Sequence, residues 1–62
     1  MNSDQEKALF DQYQWEYDYV GRVWAAPNGT KLPQDALMEL TSNPDGDLAL
    51  MRLIVACGNR KV

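Results

Sequence analysis

The sequence predicts a mainly α fold, a small three-helix domain with a short β-hairpin or loop between the first and second helices. Three observations carry that expectation. Leu48 to Cys57 is the one long apolar run, and residues suited to starting and stopping a helix bracket it. Leu9, Tyr13, Tyr17 and Val20 recur at steps of four, four and three, the spacing of a single helical stripe. Between these segments, Pro27-Asn28-Gly29 and Asn43-Pro44-Asp45-Gly46 read as turns. With 62 residues the chain makes one domain, 1–62. A domain this small buries only about 60% of its unfolded surface, so its core is marginal.

The first helix is expected from about 4 to 20. Ser3-Asp4-Gln5-Glu6 has the form of a capping box, in which Ser3 and Glu6 satisfy each other's backbone amides, and Gly21 lies where a C-terminal cap belongs. The face opposite the apolar stripe is less ordinary. Asp4, Asp11 and Asp18 are spaced by seven and align, with Ala8, Trp15 and Tyr19 beside them. If the stripe is buried, Trp15 and Tyr19 stand outside in an acidic surround. That is the composition of a binding hot spot for a basic surface. Asp4, Asp11, Trp15, Asp18 and Tyr19 are therefore the candidate partner-binding residues. The competing reading puts Trp15 in the core of the domain or of a homodimer and leaves the carboxylates as a solvated face.

Residues 22–32 read as a hairpin or turn-rich connection. Pro27 presets the turn, and Asn28 and Gly29 tolerate a positive φ. The second helix is expected over about 33–42, with Pro33 at its first position, Asp35 in its first turn and a narrow stripe of Ala36, Leu37 and Leu40. The third helix is expected over about 45–57. Leu48, Leu50, Met51, Leu53, Ile54, Val55 and Cys57 sweep well over half its circumference, leaving Arg52, Ala49 and Ala56 to face water, so it must be covered on two sides. The expected core is Leu9, Tyr13, Tyr17, Val20, Trp24, Leu37, Leu40, Leu48, Leu50, Met51, Leu53, Ile54 and Val55.

Composition narrows the function classes. One Cys and no His rule out an intrachain disulfide and leave little for structural zinc, and Cys57 reads as a small core hydrophobe. Nine acidic against six basic residues give a net charge of −3, which repels phosphate. The charge is uneven: residues 1–20 hold five carboxylates and one Lys, and residues 48–62 hold only Arg52, Arg60 and Lys61. The N-terminus lacks the basic start and apolar segment of a signal peptide, and ten apolar residues are too few to span a bilayer, so a cytoplasmic protein with no membrane partner is expected.

No motif requires a cofactor or a metal. Asn43-x-Asp45-Gly46-Asp47 alternates like a calcium loop, but Ile54 stands where the closing Glu belongs. Without His, with Cys57 in the core and with isolated Ser3 and Ser42, the chain offers only carboxylate and Tyr chemistry, and a domain of this size is expected to enclose no pocket for it, so an enzyme is not expected. The two C-terminal helices suggest a helix-turn-helix regulator of nucleic acid. The half that should read bases is Asp45-Gly46-Asp47-Leu48-Ala49-Leu50, which repels phosphate and offers no donors. The expected function is a small acidic protein-interaction module acting by occupancy, an inhibitor or adaptor whose partner is another protein with a basic surface. In size and composition it is similar to accessory proteins of phages and mobile elements. A small homo-oligomeric structural subunit and the helix-turn-helix regulator are the alternatives.

Overall fold

The computed structural model describes residues 2–61. Its element order is α1 (Ser3–Gln12), β1 (Glu16–Asp18), β2 (Val23–Ala25), β3 (Lys31–Pro33), α2 (Gln34–Thr41) and α3 (Gly46–Cys57). The strands form one antiparallel sheet in the order β1-β2-β3. The fold is therefore a small α+β domain, and the expectation of a mainly α, three-helix domain is corrected.

The correction begins at the end of α1. The helix stops at Gln12, eight residues short of Val20, because Tyr13 leaves it and Gln14 takes a left-handed backbone at φ +64°. The Trp15 N–H then donates to the Phe10 carbonyl (2.9 Å) and the Gln14 N–H to the Asp11 carbonyl (3.1 Å). That pair of bonds is a Schellman motif, and its usual apolar contact is supplied by Trp15 against Phe10, ring centroids 5.2 Å apart. At the other end the cap lies one residue earlier than expected. Asn2 Oδ1 accepts from the Gln5 N–H (2.8 Å) while Gln5 Oε1 accepts from the Asn2 N–H (3.1 Å), so Asn2 and Gln5 form the box in place of Ser3 and Glu6.

Beyond this turn the chain is extended. Trp15-Glu16-Tyr17-Asp18-Tyr19 alternates aromatic and acidic residues, the period of a strand with one covered face. Tyr17 pairs with Trp24 and Trp24 with Leu32, making a row across the sheet on the face the helices cover, while Glu16, Asp18, Lys31 and Pro33 lie on the other face, exposed. Asp18 Oδ1 accepts from the N–H groups of Val20 (2.9 Å) and Gly21 (3.1 Å) and so closes the β1–β2 turn. The β2–β3 hairpin is built around Pro27, Asn28 and Gly29. The Gly29 N–H donates to the Ala26 carbonyl (3.0 Å), and within this hairpin Gly29 takes a positive φ, +93°.

Pro33 ends β3 and caps α2 from outside the helix, and α3 begins at Gly46, after Asp45. Gly46 is where the two helices meet most closely: a Cβ there would strike the Leu40 carbonyl oxygen and lie 2.9 Å from Thr41 Cα. After α3 the chain returns to the end of α1. The Asn59 N–H donates to the Tyr13 carbonyl (2.9 Å) and the Lys61 N–H to the Gln12 carbonyl (2.8 Å), satisfying acceptors the helix leaves open.

The core is Phe10, Trp15, Ala26, Leu32, Leu37, Leu50 and Ile54, with Leu9, Tyr13, Trp24, Ala36, Leu40, Leu53 and Cys57 packed around it half-buried. Four residues expected inside are outside: Val20 in the β1–β2 turn, and Leu48, Met51 and Val55 on α3. The cause is thickness. The molecule measures 30 × 27 × 19 Å. Its short axis takes two layers packed about 10 Å apart and not a third, so α3 is covered on one side only. Among the described residues no helix is long and apolar enough to cross a membrane, and no group of three or more Cys, Asp or Glu is placed to hold a metal ion.

Candidate docking surfaces

The acidic face expected on one long helix is not assembled, because the helix that would align it ends before Trp15. Asp4 lies exposed in the first turn of α1, where a carboxylate complements the helix dipole. Asp11, exposed near the other end, accepts from Lys61 Nζ at 3.0 Å, a solvated pair of at most about 1 kcal/mol. Trp15 is 3% exposed, and its Nε1–H donates to the Ile54 carbonyl (3.1 Å), so it is core and not an anchor for a partner. Asp18 is spent on its turn. Tyr19 alone of the five is an open aromatic, 84% exposed, with its ring edge-on to Tyr17.

Two other surfaces emerge. The first is the outer face of α3. At about 100° per residue, Leu48, Met51 and Val55 are centred about 110° round the helix from Leu50 and Ile54, with Met51 at the margin of the buried side. The latter two are wholly buried; the former are 52%, 44% and 48% exposed. Arg52 lies beside this stripe, and Ala49 and Ala56, both exposed, leave its flank low enough for a backbone to come close. Sequence reasoning puts these apolar side chains in the core; the signal that could have found them is the breadth of the apolar arc, wider than one neighbouring layer can cover.

The second is a cleft of about 380 Å³ among α1, the sheet and the start of α2, lined by Tyr17, Tyr19, Trp24, Glu6, Lys7 and Gln34 among others. Its rings hold one another in place. Trp24 stacks on Phe10 (4.1 Å, 8°), Tyr17 tilts against Trp24 (5.0 Å, 58°), and Tyr19 stands edge-on to Tyr17 (4.9 Å, 84°). Sequence reasoning places Tyr17 and Trp24 in the core and Tyr19 on the opposite side of a helix. The alternation from Trp15 to Tyr19 is the signal that puts Tyr17 and Tyr19 on one face of a strand. Comparison with known protein families, with curated proteins and with solved structures gives no match.

Proposed function

We propose that the protein is an interaction module that works by occupancy, as an inhibitor or adaptor, docking the outer face of α3 onto an apolar helix or groove of another protein that carries a carboxylate opposite Arg52. The observation that carries this reading is the stripe of Leu48, Met51 and Val55, set in the open on α3, round the helix from its buried side. Contiguous apolar surface of this kind marks interaction sites more often than chance.

Charge decides between another protein and a second copy. A symmetric antiparallel pair of α3 helices sets Arg52 beside its own copy, and a parallel pair aligns the two helix dipoles; both repel. A carboxylate on a different protein meets Arg52 without that cost. The outer face offers a nucleic acid only Arg52, too little to read bases or to hold a backbone. Burying the exposed half of the three apolar side chains yields about 2–4 kcal/mol. Association alone costs at least as much, so the Arg52 pair and close packing over Ala49 and Ala56 must supply the rest.

A photo-crosslinking side chain at position 55, in cells that contain the partner, should yield one discrete heterologous adduct that Arg52→Glu removes. The same group at Glu16, on the exposed sheet face, serves as the control. Equal yields at the two positions, or an adduct with the protein's own copy, would sink the reading.

A further inference from the structure

We propose that Asn28 is a site of covalent self-modification, converting through a cyclic imide to isoaspartate at a rate set by opening of the β2–β3 hairpin. The site shares no residue with the α3 stripe, so this inference stands or falls separately from the proposed function.

Sequence and surroundings both single out this position. Of the four asparagines, Asn2, Asn28, Asn43 and Asn59, only Asn28 precedes a glycine; Ser3 and Arg60 follow two of the others, and Pro44, which has no N–H, follows the third. Imide formation needs the next residue's backbone nitrogen to reach the carboxamide carbon, and a glycine leaves that nitrogen unshielded. The hairpin adds no cover of its own: Asn28 and Gly29 are both exposed, and a Cβ at Gly29 would meet nothing within 4 Å.

Two hydrogen bonds hold the reaction back while the hairpin is closed. The Gly29 N–H donates to the Ala26 carbonyl (3.0 Å), which keeps its proton from solvent base, and Asn28 Oδ1 accepts from the Thr30 N–H (3.0 Å), which fixes the carboxamide. Once both open, base removes the Gly29 amide proton and the nitrogen bonds to Asn28 Cγ. The Cγ–Nδ2 bond breaks, and the leaving nitrogen takes up the proton as ammonia. Water then opens the imide, with no change of oxidation state. Addition at Cγ gives aspartate, which keeps an oxygen for Thr30; addition at the main-chain carbonyl gives isoaspartate, whose backbone runs through Cβ and Cγ and is one carbon longer. That carbon falls inside the turn closed by Ala26 and Gly29 and takes the acceptor away from the Thr30 N–H, two residues before Leu32 enters the core.

The test incubates the folded protein in mildly alkaline buffer and follows each asparagine by peptide mapping, with isoaspartate quantified by an isoaspartate methyltransferase. The expected result is conversion at Asn28 ahead of Asn2, Asn43 and Asn59, with isoaspartate exceeding aspartate. Pro27→Ala, which loosens the turn at an exposed position, should speed conversion about two- to fivefold; in denaturing urea the two proteins should react alike. Separated by ion exchange, the isoaspartate form should melt below the unmodified protein, whereas Asn28→Asp should melt as the wild type does. Conversion no faster at Asn28 than elsewhere, or aspartate without isoaspartate, would overturn the site. An unchanged rate in Pro27→Ala, or a difference that persists in urea, would overturn control by the hairpin.

Discussion

Gln14 holds its left-handed backbone without the freedom glycine would have, because the bonds of the Schellman turn and the Trp15–Phe10 contact require that conformation there. Gln14→Gly should therefore raise stability by about 0.5–1 kcal/mol, read as a higher urea midpoint at an unchanged slope. A lower midpoint would mean that the turn lies elsewhere. Gly46 is the opposite case. A Cβ at Gly46 meets backbone, which cannot rotate away, and Gly46→Ala should cost about 3 kcal/mol or more by pushing α2 and α3 apart. Trp15→Ala loses a buried ring and one of the two donors to the Ile54 carbonyl, which keeps the Gly58 N–H, and the lost ring alone is worth about 3–5 kcal/mol. A domain of this length has about 3–9 kcal/mol in all, so the variant should show no cooperative melting transition. A folded Trp15→Ala protein with near-normal melting would restore Trp15 as a surface residue.

The β1–β2 turn offers a prediction at the scale of the element. Asp18→Ala removes the acceptor of two turn amides and should cost about 1 kcal/mol, whereas Asp18→Asn, which keeps Oδ1, should cost much less; thermal melts of the pair decide it. The same turn shows why part of the fold is legible in the sequence and part is not. α2 and α3 are readable to within a residue or two because Pro33, the Asn43-to-Gly46 turn and Gly58 mark their ends. The β2–β3 hairpin is readable from Pro27-Asn28-Gly29. The end of α1 is hidden, since its left-handed residue is Gln, and nothing in Gln14 announces a stop. Reading onward to Gly21 absorbs Trp15 to Tyr19 into a helix, although their alternation fits a strand, because Leu9, Tyr13, Tyr17 and Val20 also match a helical period. Two periods compete over the same residues, and the long-range bond from Trp15 to Ile54 settles which one the chain adopts. The candidate site falls with the helix: Tyr19 is the one aromatic of it left open to a partner.

At the scale of the molecule, two layers leave the outer side of the most apolar helix in water. Val55→Glu should therefore change the melting temperature little, within about 0.5 kcal/mol, while Ile54→Asp, one residue away, should unfold the domain. Equal destabilisation by both would show that the stripe is covered in solution. The bond between Trp15 and Ile54 has a further consequence, in time. It spans 39 residues, and a ribosome adding about 5–20 residues per second makes the donor about 2–8 s before the acceptor. Through that interval Phe10 and Trp15 have no α3 to pack against, and the core around them is completed only with the last quarter of the chain.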